Sequence, residues 1–330
     1  MADQKKISVY QVAEKAGVSA ATVSRALNHP ELVNKRTYDK IISAAQMMGY
    51  LQKNRALRSN LILVFVPSLE NSFYSGIFRG IRAAAERCGY RFLVQLTKGP
   101  FAPSLEEFQE ICRMTQAAGI ISLLAIPECV LAELEKEVAV VQCSECDLGS
   151  PYSYVTIDNY SAAKNMVRTL IRNGSSKIAL INSASSFYFA RERRKGYEDA
   201  FREAGLPLQT NWIQEVGSFD FMSAYSVVTK MLLASDDHPD TIFGVSDVYA
   251  AAAIKAAKAC GMRVPEDLRV AGFDNISVCH MTDPAITTVV QPTVQMGNMA
   301  FEILHEHIEN PLLAPQQVIL ATEIVMRGSV

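Results

Sequence analysis

Residues 12–28 read VAEKAGVSAATVSRALN, and the punctuation inside this stretch decides what the N-terminal region folds into. Gly17 divides it. Glycine tolerates the left-handed backbone that a tight helix exit needs, so a helix beginning after Ser8 should stop there. Ser8 and Gln11 stand at capping-box spacing and mark its start. Ser19 can accept from the first amides of a second helix over 20–28. So short a turn forces the two helices to cross steeply. Val12, Ala13, Ala16, Val18, Val23 and Leu27 then face one another, and Ala13 is small enough for close approach. Asn34 can cap a third helix over 35–48, with Tyr38, Ile42 and Ala45 inward. This is the helix-turn-helix pattern, whose second helix enters the major groove of DNA. Pattern alone leaves a second reading open, a generic three-helix bundle on the surface of something larger.

The charge is distributed as the first reading requires. The whole chain carries a formal net charge of −2, which says nothing about partners. Residues 1–60, however, hold ten of the 32 Lys/Arg and four of the 34 Asp/Glu, a net +6, which leaves −8 on the remainder. A basic end on an acidic body is the footprint of a small nucleic-acid-binding module on a soluble carrier. At 330 residues the chain should hold two or three domains. Residues 1–10 contain two lysines and no apolar run, unlike a signal peptide. No uncharged stretch is apolar enough to span a bilayer. Seven cysteines, an odd number scattered through a large chain, fit a reducing cytoplasm better than a disulfide framework.

From residue 61 onward short apolar runs alternate with longer amphipathic ones. Strands are expected over 61–66, 91–96, 119–125, 138–142, 154–157, 177–181, 241–245 and 268–273. Helices are expected over 72–88, 104–118, 160–173, 189–204, 221–233, 248–260 and 294–309. Such alternation means parallel sheets covered by helices on both faces, the doubly wound α/β class. The elements exceed one tidy sheet, so two lobes are expected. Ligands in such folds sit outside the carboxyl ends of the strands, and two facing lobes make a cleft there.

The residues add to the pattern. VYQVAEKAGVSAATVSRALNHPELVNKRTYDKIISAAQMMGY, residues 9–50, closely resembles the headpiece of the lac repressor (LacI/GalR) family. Downstream, NSFYSGIFRGIRAAAERCGY, VTIDN, RERRKGYEDAFREAGL, SDVYAAAAIKAAKACGMRVPEDLRVAGFDN, DPAITTVVQP and RGS resemble that family's two-lobed, periplasmic-sugar-binding-type sensor. The resemblance implies a helix-turn-helix domain over 1–50, a short hinge over 51–60, and an effector-binding and dimerisation domain over 61–330. Its first lobe takes 61–158 and 292–320, its second 159–291 and 321–330. The implied protein is a sequence-specific, cytoplasmic transcription repressor. As a homodimer it holds a pseudo-palindromic double-stranded DNA operator under allosteric control by a small effector, without a cofactor, metal or catalytic residue.

Roles follow by position. Arg25 offers a bidentate fork for guanine. Ala20 and Ala21 stand where the family reads base edges, and alanine can only touch thymine methyls or leave room. Thr22, Ser24 and Asn28, with the helix N-termini capped by Ser8 and Ser19, suit phosphates. After Gly49-Tyr50 the family carries a proline, a short helix with a leucine and a polar spacer. Here Gln52 replaces the proline, and LQKNRALRSN runs at once into LILVFVP. Leu57 is either the minor-groove wedge or a residue packed on the lobe.

Effector contacts are carried over in the same way: Phe73 and Tyr74 after the first strand, Asp158 at the end of VTID, and Arg193 three residues before Gly196. Phe219, Asp247, Asp274 and Gln291 complete the set. Aromatic faces cover the apolar side of a ring, arginine donates a planar fork, and carboxylates accept from hydroxyls or amines. The implied ligand is sugar-like or nucleoside-like, with a slight lean of the wording to the cytidine-responsive branch. The carboxylates carry a rival reading, as strand-end residues capping the next helix.

Other motifs carry less. Cys143 and Cys146 form a lone CxxC with no second ligand pair, following a strand where a redox pair would open a helix. His305 and His307 are two apart on a helix and cannot chelate together. Glu133–Glu137 is simplest as a solvated helix face. No phosphate loop, HExxH or nucleophile elbow is present. The rivals are a sugar-metabolising enzyme of doubly wound fold, which turnover on candidate sugars would reveal, and an exported sugar-binding protein, which should lack the basic N-terminal module.

Overall fold

A computed structural model describes residues 8–28, 32–48, 59–217, 220–234 and 237–330. Three helices form the headpiece: α1 (Val9–Ala16), α2 (Ala20–Asn28) and α3 (Lys35–Met47). Their shared core is Val12, Ala13, Val23, Ala26, Ile41, Ala44 and Ala45, with Val18 and Tyr38 packed against it. The caps work as their spacing implies. Ser8 N–H donates to Gln11 Oε1 at 2.8 Å, Thr22 N–H to Ser19 Oγ at 3.1 Å, and Thr37 N–H to Asn34 Oδ1 at 2.8 Å. Gly17 leaves α1 with φ of 66°, the left-handed exit.

From Leu61 the chain runs through β1 (Leu61–Val66), α4 (Phe73–Arg87), β2 (Arg91–Leu96), α5 (Leu105–Thr115) and β3 (Gly119–Ser122). It continues through α6 (Glu128–Leu134), β4 (Ala139–Cys143), β5 (Tyr154–Ile157), α7 (Asn159–Arg172), β6 (Ile178–Ser183) and α8 (Tyr188–Ala204). Next come β7 (Ile213–Val216), α9 (Phe221–Leu233), β8 (Thr241–Gly244), α10 (Asp247–Ala259), β9 (Arg269–Asp274), α11 (Val278–Met281) and β10 (Thr287–Val290). The last elements are α12 (Thr293–Glu309), β11 (Gln317–Leu320) and β12 (Glu323–Val325).

Two six-stranded sheets result, ordered β11-β5-β4-β3-β1-β2 and β12-β10-β9-β8-β6-β7. All pairings are parallel except β10 with β12. The apolar run of β1 fits its interior place between β3 and β2, because a strand covered by helices on both faces has no polar side to show. The chain passes between sheets after β5, after β10 and after β11. Each lobe is therefore discontinuous, with α12 packed on α4 in the first and α7 on α8 in the second.

The structure departs from the periodicity reading in identifiable ways. The strand expected over 119–125 stops at Ser122, whose hydroxyl bonds both the carbonyl and the amide of Leu124 and turns the chain. The helix expected over 104–118 ends at Thr115, because Gln116 is left-handed with φ of 52°. β7, β10, β11, β12, α6 and α11 are additional elements. β11 and β12 lie at sheet edges and are partly exposed, too short for their pattern to stand out. The stretch around Glu133 is not only a solvated face, since α6 buries Leu131 and Leu134.

Candidate functional site

The headpiece presents its second helix outward. Ala21, Ser24 and Arg25 are exposed, and their spacing of three and four residues puts them on one helix face. Ala20 is half-buried and packs against the headpiece core. Thr22 and Ser19 share a hydroxyl–hydroxyl hydrogen bond of 2.7 Å at the start of α2. Tyr10, in the first turn of α1, is 74% exposed and adds an aromatic that the motif reading passed over. The Asn28 side chain and Leu57 lie outside the described residues, as does Phe219 in the second lobe.

The body closes around a cleft of about 550 Å³, counted to its open mouth, between the carboxyl ends of both sheets. From the first lobe come Asn71, Phe73 and Tyr74 after β1, and Ser144 and Glu145 after β4. From the second come Asn159 at the start of α7, Phe187, Phe189 and Arg193 at the start of α8, Asp274 ending β9, and Gln291 after β10. The register that sets Val290 opposite Asp274 brings Gln291 to it: Gln291 Nε2 donates to Asp274 Oδ1 at 2.7 Å.

Arg193 is the electrostatic centre, and only 5% exposed. Its Nε donates to Asn159 Oδ1 at 2.9 Å and its Nη1 to the Val245 carbonyl at 2.6 Å. Asp274 Oδ1 lies 3.6 Å from Nη1. The guanidinium is 3.5 Å from the Phe273 ring centroid and 4.8 Å from that of Phe189. Burial lowers the Arg193 pKa to about 10, against the opposing pull of Asp274 and Glu145, so it stays charged at neutral pH. Burial raises the Asp274 carboxyl, with Arg193 resisting. Burial also raises Glu145, although the amides of Tyr188 and Phe189 donate to it. That last contact ties a first-lobe carboxylate to the N-terminus of a second-lobe helix.

Five of the eight sequence-derived effector candidates meet here: Phe73, Tyr74, Arg193, Asp274 and Gln291. Two do not. Asp158 caps α7, accepting from Ser161 N–H at 2.9 Å, and Asp247 is fully buried behind the cleft wall. For Asp158 the strand-end carboxylate capping the next helix is the arrangement observed. Glu145, Asn159, Phe187 and Phe189 are the residues that sequence reasoning passed over. A signal existed for three of them. Phe189 lies four residues before Arg193 on the same helix face, Asn159 adjoins the crossing, and Glu145 follows a strand by two residues inside the CxxC set aside as metal chemistry.

Among the described lining residues Arg193 is the one cation, and it faces two carboxylates. Aromatic rings flank the space, with Phe73 and Tyr74 edge-on at 5.4 Å and Phe187 and Phe189 at 5.4 Å. Such a lining can sandwich a ring and accept its hydroxyl or amino protons.

A helix-turn-helix headpiece joined to a two-lobed cleft domain defines a class, the DNA-binding transcription regulators that carry their own small-molecule receptor. The family model "Bacterial regulatory proteins, lacI family" matches residues 8–52, and "Periplasmic binding protein-like domain" matches residues 167–330. The chain belongs to the lacI family of bacterial regulatory proteins. It is 32% identical to the HTH-type transcriptional repressor CytR of Escherichia coli (strain K12), over 96% of this chain and 94% of that protein. It is 30% identical to the HTH-type transcriptional regulator DegA of Bacillus subtilis (strain 168), over 98% of both. Among solved structures, a transcriptional regulator CelR–cellobiose complex superposes with a TM-score of 0.73 at 27% identity, covering 98% of this chain and 100% of that one. CytR is one relative among several, so the lean of the wording toward that branch names no effector.

Proposed function

We propose that this chain is a homodimeric, cytoplasmic repressor without catalytic activity, whose hold on a pseudo-palindromic operator is set by an uncharged sugar-like or nucleoside-like effector in the cleft. Residues 1–50 form the DNA-binding domain, 51–60 the hinge and 61–330 the effector and dimerisation domain, with lobes of 61–158 plus 292–320 and 159–291 plus 321–330. Arg25 reads a guanine, and Ala20 and Ala21 neighbouring base edges. Ser24, Thr22, Asn28 and the N-termini of α1 and α2 hold phosphates. Leu57 is the candidate minor-groove wedge of the short hinge. Phe73, Tyr74, Phe187, Phe189, Glu145, Arg193, Asp274 and Gln291 hold the effector, with Phe219 as a further aromatic wall.

The observation that carries the effector assignment is the convergence of Arg193, Asp274 and Gln291 from one lobe with Tyr74 and Glu145 from the other. Arg193 already donates to Asn159 and Val245 and is outnumbered by carboxylates, which favours hydroxyls and amines over phosphates. A ligand that bridges the lobes stabilises their closed arrangement. It shifts DNA affinity only through its different affinity for the two arrangements. Two headpieces related by a two-fold axis match two half-sites.

A thermal-shift screen of the full chain against nucleosides, pentoses, hexoses and hexose phosphates tests this reading. A member at a hundred times its Kd adds about 2.7 kcal/mol of stability, and the same compound should change salt-sensitive retention of duplex DNA. A chain that responds to no member and shows no sequence-selective retention defeats the proposal.

A further inference from the structure

Asp274 has an unusual backbone. Its φ is 114° and that of Asn275 is 58°, values that side-chain-bearing residues seldom adopt. Such a conformation persists only where the surroundings over-determine it. Two side chains outside the cleft do so. Asp247, the first residue of α10, is fully buried. Its Oδ2 accepts from Ile276 N–H at 2.8 Å, and its Oδ1 from Thr288 Oγ at 2.5 Å. Each carboxylate oxygen of Asp247 is thus engaged inside the lobe, and Asp247 is not among the residues that line the cleft. Gly272 on β9 makes the arrangement possible, since a Cβ there would lie 2.3 Å from Asp247 Oδ1.

The other side chain is Arg327, which approaches the same turn from the C-terminal segment. Its Nη2 donates to Asn275 Oδ1 at 2.7 Å and its Nη1 to the Ile286 carbonyl at 2.7 Å. Its own amide donates to Thr287 Oγ at 2.8 Å. Thr288, held by Asp247, is three residues before Gln291, the partner of Asp274 at the crossing between lobes. One buried carboxylate and one guanidinium thus hold the turn after β9 and the strand that ends at the crossing.

We infer that Asp247 and Arg327 are positioning residues, which never touch the effector but hold the left-handed Asp274–Asn275 turn so that the Asp274 carboxylate meets Gln291 and Arg193. The inference rests on the cleft reading proposed above. Asp247 is therefore reassigned from ligand contact to support, and the RGS motif gains a role through its arginine.

The test uses the full chain and three readouts: amide exchange at Asn275 and Ile276, titration of the Asp274 carboxyl by carbon-13 NMR, and affinity for the nucleoside and sugar probes. Asp247→Asn should speed Ile276 exchange at least ten-fold. It should also lower the Asp274 titration midpoint, because a neighbouring negative charge that raises it is gone. Affinity for any probe that binds the wild type should fall at least ten-fold. Arg327→Gln should loosen Asn275 in the same sense, and Arg327→Lys, which keeps a donor, should recover part of the loss. Arg327 is half-buried on the surface side, so this pair decides the matter if the Asp247 variant does not fold.

Unchanged exchange and titration in both variants would overturn the inference. So would loss of probe binding with the turn as tightly held as in the wild type, which would make Asp247 a ligand contact. If the wild type binds none of the probes, the effector class fails, while exchange and titration still decide the positioning.

Discussion

Arg25 and Arg193 carry the same planar fork in two regions that surround it in opposite ways. On α2, Arg25 is exposed beside Ala21 and Ser24, where the proposed partner is DNA. In the cleft, Arg193 is buried, bonded to Asn159 and Val245, stacked against Phe273 and set against Asp274 and Glu145. In the proposed role the first is a recognition device whose energy appears on binding. The second is structural before it is functional, because two buried carboxylates depend on its charge. Residue type alone therefore says little about what an arginine does. The surroundings decide whether removing it weakens an encounter or the fold.

The sharpest way to break this contrast is Arg193→Ala. Removing one member of a buried ionic cluster strands the others, and such losses run to about 3–5 kcal/mol. Urea unfolding of the variant should show that drop, and an unchanged midpoint would mean that Asp274 and Glu145 are neutral without it. Arg25→Ala is the mirror experiment. It should remove about 1–3 kcal/mol from sequence-selective DNA binding and leave the melting temperature where it was. A fall in melting temperature would place Arg25 in the headpiece core instead of on its face. The smallest effect is expected for Asp158→Ala, where loss of the α7 cap should cost about 1 kcal/mol of stability. Probe affinity should stay within two-fold of wild type, and a ten-fold fall would return Asp158 to the effector set.

The headpiece was legible because its determinants are local. Ser8, Gly17, Ser19 and Asn34 fix where each helix begins or ends through bonds to their own neighbours, and helical phase then fixes which of residues 20–28 face out. The doubly wound class was legible for a related reason, since alternation of apolar runs reports which residues are covered. The partners of the carboxylates could not be read in this way. Asp158, Asp247 and Asp274 all stand at or just after strand ends and look alike in the sequence, yet one caps a helix, one is bonded inside the lobe and one lines the cleft. Glu145, inside a CxxC motif read only for its cysteines, reaches helix α8 of the opposite lobe.

What the amino-acid order determined by itself is thus the helix-turn-helix, the alternating α/β body and the residue types from which a receptor could be made. Only the tertiary structure decided which of those residues meet, because the register of β9 against β10 sets Gln291 on Asp274, and the passages between lobes bring Tyr74 to the same cleft as Arg193 and Asp274, more than a hundred residues away. A carboxylate's role is set by the donors that reach it first, and most of those donors come from elsewhere in the chain.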